Sequence, residues 1–241
     1  MPDRGGSTMR EPVRVGLIGL FVTALVTAQL LAVKVLALPL PRPLPVIGEA
    51  IIAPAGVLAY AVTFFATDCY SELFGRRAAH VVVNVGFTMI LVMLGLLWLA
   101  IVAPGAESGV DPAAFARVLS PSTNIVVGSL LAFVVSQNWD VFAFHAIRKR
   151  TGPRWLWLRN VLSTASSQGI DTVIFIVVAF YAAPVALGLG QALPRTVIVQ
   201  LIVGQYLLKL GIAVLDTPFV YAAVGYLRSR GVVESQWTFA D

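Results

Sequence analysis

Residues from which proteins build thiol, metal or phosphate chemistry are scarce in this chain. Cys69 is the single cysteine, and His80 and His145 are the only histidines. An internal disulfide is thereby excluded, and no Cys/His spacing suits a metal site. Both histidines fall near the ends of apolar runs, where an interfacial or loop position is expected. The chain has no Gly-x-x-x-x-Gly-Lys-[Ser/Thr] phosphate loop, so it cannot hydrolyse ATP in that manner. Charge is sparse as well: 12% of residues are charged, roughly half the share in a soluble globule.

Apolar sequence fills the space that charge leaves. Hydrophobic residues make up 58% of the chain, and the mean hydropathy is +0.86. A membrane-crossing helix needs about 20 predominantly apolar residues. Six such runs can be drawn, at Val15–Leu38, Ile51–Leu73, Ala79–Ala103, Ile125–Ala146, Val161–Leu187 and Thr196–Leu227. The expected fold class is all-α, a polytopic membrane bundle of six helices over residues 15–230 in the cytoplasmic (inner) membrane. Residues 1–14 read as a mobile cytoplasmic tail and residues 231–241 as a second cytoplasmic tail. The first apolar run is too long for a cleavable signal peptide, and prolines follow it where a small-residue cleavage site would stand.

Loop cations orient the bundle, because short loops rich in Lys and Arg stay cytoplasmic. One side collects Arg4, Arg10, Arg14, Arg76, Arg77, the Arg148–Arg150 run, Arg154, Arg159, Arg228 and Arg230; the other has only Arg42, Arg117 and Arg195. Both termini are therefore expected inside. The net charge of +5 follows from this topology and does not call for a nucleic-acid partner. Pro39, Pro41, Pro43 and Pro45 predict an extended, non-helical outer loop. Asp111-Pro112 in the next outer loop reads as an N-cap and first helical position. Arg148, Trp155, Trp157 and Arg159 make the Ile147–Arg159 loop a headgroup-level anchor.

Polar residues inside the runs carry the functional signal. The phrase Ser136-Gln137-x-x-Asp140-x-x-x-Phe144 recurs as Ser167-Gln168-x-x-Asp171-x-x-x-Phe175. An ionisable side chain at the centre of a membrane helix costs about 2.5–3.5 kcal/mol on insertion scales, so it faces a cavity, a partner or a solute. Thr164, Ser167, Gln168, Asp171 and Phe175 fall on one helical stripe. Thr63, Asp68 and Glu72 on helix two, and Gln205, Lys209 and Asp216 on helix six, are expected to join them in a polar cavity at or inside the midplane. Serine, threonine and glutamine in membrane helices also simply bond neighbouring helices, and Lys209 reads equally as the neutralising partner of one aspartate. Ala24, Ala28 and Ala32 form a small-residue stripe whose default role is close helix packing.

Thr63-Phe64-x-x-x-Asp68-x-x-x-Glu72-x-x-Gly75, Ser136-Gln137-x-x-Asp140-Val141 and the long Trp157-Leu158-Arg159-Asn160 to Phe175 stretch resemble the queuosine precursor transporters, also described as vitamin-uptake-type membrane proteins. The resemblance implies a six-helix importer of a 7-deazaguanine base, such as the 7-cyano or 7-aminomethyl compound, with no cofactor. A carboxylate can accept two adjacent N–H donors of a guanine-like edge in parallel. On that basis Asp140, Asp171, Gln137, Gln168, Ser167, Asp68, Lys209 and Gln205 are the expected polar contacts, with Phe144 and Phe175 stacking on the ring. A second copy or an energising ATPase subunit is an alternative partner. An intramembrane enzyme using paired aspartates is the third reading, weakened because no histidine base lies near the serines.

Overall fold

Backbone polar groups in hydrocarbon must be satisfied within their own segment, which makes helix the natural state of long apolar runs. The computed structural model describes residues 4–45, 47–106, 108–151 and 156–232. Its long helices are α1 (Arg4–Leu31), α2 (Gly56–Phe74), α3 (Arg76–Val102), α5 (Ser122–Thr151), α6 (Leu156–Val177) and α8 (Arg195–Ser229). A hairpin, β1 (Val35–Leu44) and β2 (Gly48–Pro54), lies between α1 and α2. The short helix α4 (Pro112–Leu119) precedes α5, and a π turn (Val178–Ala182) continues α6 into α7 (Ala183–Leu187).

Among the described residues five helical segments are long and apolar enough to cross a membrane: Met9–Leu31, Arg76–Val102, Pro112–Ile147, Val161–Leu187 and Arg195–Ser229. The chain is a multi-pass helical bundle. The expected sixth, α2, is 19 residues long and carries Asp68 and Glu72, and it is not among the five. It packs against α1 and α8.

The hairpin departs from expectation. Residues Ile51–Pro54, read from sequence as the start of a helix, pair with β1 through Leu38↔Ile51, Ala37↔Ile52, Leu36↔Ala53 and Val35↔Pro54. Pairing is irregular between Pro39 and Leu44, where Pro41 and Pro43 bring no N–H to the ladder. A lone two-stranded hairpin is marginal in water, so this one depends on what it packs against. Its support is α8. A Cβ on Gly204 would run into the carbonyl oxygen of Ile52, so only glycine lets the hairpin lie this close.

The alanine stripe packs internally. Ala24, Ala28 and Ala32 are buried, and a Cβ on Gly56 of α2 would lie 2.6 Å from the Ala28 carbonyl oxygen. Helix α1 begins at Arg4, so most of the segment expected as a tail is helical backbone. The predicted cap is present, with Asp111 accepting from the Ala114 N–H at 2.8 Å. At the far end of the bundle Arg14 Nε donates to the Tyr70 hydroxyl at 3.1 Å, and Arg228 donates to the Glu72 carbonyl at 3.1 Å and its carboxylate at 3.4 Å. These contacts gather the start of α1, the end of α2 and the end of α8. Of the basic Ile147–Arg159 segment, the join between Thr151 and Leu156 lies outside the described residues, as does the tail beyond residue 232.

Candidate functional site

Lys209 sets the electrostatic problem of the site: it lies on α8 and is only 6% exposed. A buried ammonium needs a partner and hydrogen bonds to offset its lost hydration. Asp171 of α6 supplies the charge, with Oδ2 2.7 Å from the lysine Nζ. Gln168 Oε1, one turn earlier, accepts a longer bond of 3.5 Å. The second carboxylate oxygen of Asp171 accepts from Ser136 Oγ of α5 at 3.3 Å. Three helices are thus joined through one ion pair.

The repeated phrase closes on itself. While Ser136 donates to Asp171, Ser167 donates to Asp140, also at 3.3 Å. Each serine serves the aspartate of the other copy, as two identical phrases on antiparallel neighbouring helices allow. The short Ser-to-Asp spacing is one helical turn, so both bonds fit the same register. Gly128 lies at the same helix pair, where a Cβ would come within 3.0 Å of the Phe175 carbonyl oxygen.

Beside this crossing lies a cavity of about 160 Å³. Of the residues expected at the site it brings together Thr63, Gln137, Gln168, Asp171, Phe175, Gln205 and Lys209. Asp140 and Ser167 bond to one another next to the cavity but do not line it. Asp68 is exposed and faces a separate recess with Glu72, Arg76 and Arg228. The side chain of Phe144 lies outside the described residues. Trp139, adjoining Asp140, turns away and donates to Ser166 at 3.1 Å. Asn84 is exposed.

Several cavity residues were not singled out from sequence. Tyr60 presents its ring 6.0 Å from the Lys209 ammonium, within cation–π range. Phe87 and Phe133 stack with centroids 3.8 Å apart and form an aromatic wall with Phe21 and Phe64. Ser129 lines the cavity and donates at 3.0 Å to Gln29, which is 1% exposed. Gln29 had a readable signal, an amide inside the apolar first run. Tyr60 and the stacked phenylalanines did not, since aromatic residues are ordinary in membrane helices.

The result is a chamber of mixed lining, in which glutamines and one neutralised ion pair of α5, α6 and α8 share the wall with flat rings. Such a chamber suits a flat, polar, uncharged solute. Its polar groups give that solute a preferred orientation.

Comparison with known proteins agrees in kind. Residues 54–223 match the family described as "Putative vitamin uptake transporter". A Bacillus subtilis (strain 168) protein named "Probable queuosine precursor transporter" is 35% identical over 172 residues, 71% of each chain. No solved structure matches.

Proposed function

Because this chain belongs to the queuosine precursor transporter family, we propose that it imports a 7-deazaguanine base across the cytoplasmic membrane, binding it in the chamber beside Lys209 and Asp171. The observation that carries this reading is the chamber itself, where Gln137, Gln168 and Gln205 line one cavity with the stacked Phe87–Phe133 pair. Amides satisfy both donors and acceptors of a purine-like edge, while rings cover its faces. Asp171, already paired with Lys209, keeps acceptor capacity on its carboxylate without contributing an unbalanced charge. That division differs from two free aspartates clamping one edge, because Asp140 stands off the wall.

In this reading α2 is the sixth membrane helix and both chain ends are cytoplasmic. The contacts of Arg14 and Arg228 with α2 favour it, because they gather basic residues of α1 and α8 at one end of α2. Thr63 and Thr67 of α2 line the chamber, while Asp68 and Glu72 border the recess that holds Arg76 and Arg228. Transport is secondary, with the bundle alternating access around the chamber.

Uptake of a labelled 7-deazaguanine base into sealed vesicles containing only this protein tests the proposal. Accumulation of the unaltered base without ATP or a partner subunit is the expected result, and repeating the assay with the proton gradient collapsed reads whether a proton drives it. Accumulation that appears only with an ATPase partner would make the chain the substrate-binding subunit of an energised complex. Conversion of the base would make it an enzyme.

A further inference from the structure

The amide of Gln205 is the unexplained group in the chamber. It is 5% exposed, it lines the cavity, and its Oε1 has no hydrogen-bond partner. A buried acceptor without a donor carries its full desolvation penalty, so it is found where a ligand supplies the missing bond. Gln168, by contrast, accepts from Lys209. Gln205 and Lys209 stand four residues apart on α8, which places them one above the other on the same face, with Cβ atoms about 5–6 Å apart. The face therefore offers an unpaired acceptor and, one turn away, an ammonium whose bonds to Asp171 and Gln168 leave one N–H of three.

We infer that Gln205 is the residue by which the chamber selects its cargo, accepting from an exocyclic amino group on the edge of a planar lactam whose ring carbonyl takes the remaining Lys209 N–H. The amino group is favoured over the ring N–H next to the carbonyl because the two side chains are rooted a full helical turn apart. Asp171 does not read that edge; it holds Lys209 in place and keeps the chamber neutral. The required cargo edge is carbonyl, ring N–H, amino, and a base with a hydrogen in place of the amino group leaves Gln205 unpaired.

This inference rests on the transport reading, and the experiment separates the two. Vesicles take up an equimolar mixture of a 7-deazaguanine base and its analogue lacking the 2-amino group, and the ratio of the two inside is measured. The unaltered chain should prefer the amino-bearing base by roughly tenfold to hundredfold, the usual consequence of leaving a buried acceptor unmet. Gln205→Leu should take up both at comparable rates, and Gln205→Glu, which keeps an acceptor, should retain the preference. The ratio is read within one preparation, so a variant that reaches the membrane in smaller amounts still gives an answer. A preference that survives in Gln205→Leu overturns the assignment. Failure of the unaltered chain to accumulate either base overturns the transport reading instead.

Discussion

Lys209 and Asp171 meet at 2.7 Å, and the lysine is the more deeply buried partner, its side chain 7% exposed against 23% for the aspartate. The pair is therefore unequal. Removing the carboxylate leaves the more deeply buried ammonium with only its longer bond to Gln168, whereas removing the lysine leaves a less buried carboxylate that keeps a bond from Ser136.

Asp171→Asn should consequently destabilise the bundle more than Lys209→Met. Breaking a buried ion pair costs about 3–5 kcal/mol when burial is complete, and the partial exposure of Asp171 puts this case below that range. The double variant Asp171→Asn/Lys209→Met should be more stable than the sum of the two single losses implies, with a coupling of about 1–3 kcal/mol. Thermal unfolding of purified protein in detergent reads all three. Simple additivity would mean that the ion pair carries no net coupling.

Ser136 and Ser167 make matching bonds but border different chemistry, since only Ser136 lines the cavity. Asp140→Asn should lower protein abundance in the membrane while leaving the KM for uptake within about twofold. Asp171→Asn should abolish uptake at any base concentration. Each serine-to-alanine change should cost about 1 kcal/mol of stability, the usual net value of one hydrogen bond. An Asp140→Asn variant with normal abundance and a strongly raised KM would return that carboxylate to the binding wall.

Much of the site was legible because helical periodicity fixes which residues share a stripe. Gln168, Asp171 and Phe175 follow from spacing alone, as does the i, i+4 pair Gln205 and Lys209. What periodicity leaves open is which neighbour each stripe meets. Asp140 and Asp171 are equivalent in sequence, yet α8 packs on the Asp171 side, so one aspartate meets a lysine and the other a serine. Asp68 looked equivalent too, but it is exposed, near the Arg228–Glu72 contact. The hairpin was hidden for a different reason. Its prolines announced extended chain, while Ile51–Pro54 of the partner strand is apolar enough to read as the start of a helix, and the tertiary contact with Gly204 favours the strand.

Membrane topology can be read with single cysteines on a Cys69→Ala background, Cys69 being buried. Val110, 72% exposed in the connection before α4, should react as Val110→Cys with a membrane-impermeant maleimide added outside intact cells. His80→Cys at the start of α3 and Ser229→Cys at the end of α8 should react only after permeabilisation. The crossing by α2 is read from Glu49→Cys, exposed in the hairpin before it: reaction of Glu49→Cys from outside, with His80→Cys just after α2 silent until permeabilisation, requires α2 to cross. Reaction of Glu49→Cys and His80→Cys from the same side would remove α2 from the set of spanning helices.

The contact between α8 and the hairpin makes a prediction that separates close packing from helix propensity. Two glycines sit seven residues apart in α8: a methyl group at Gly204 would strike the Ile52 carbonyl, whereas at Gly211 nothing lies within 4 Å. Alanine is the better helix former by about 1 kcal/mol, so Gly211→Ala should leave stability unchanged or raise it slightly. Gly204→Ala gains the same propensity but must push β2 away from α8 or bend the helix, a strain of about 1–3 kcal/mol by the usual cost of overpacking. The backbone carbonyl cannot rotate away as a side chain would, because β2 is tied to β1 through the ladder from Leu38↔Ile51 to Val35↔Pro54. Displacing β2 also moves Gly56, which follows directly and sits against Ala28 and Ala32, so the disturbance reaches the α1–α2 contact. Thermal unfolding should therefore rank Gly204→Ala below the unaltered chain and Gly211→Ala level with it or above. Equal stability of the two variants would mean that the hairpin rests on α8 without being held by it.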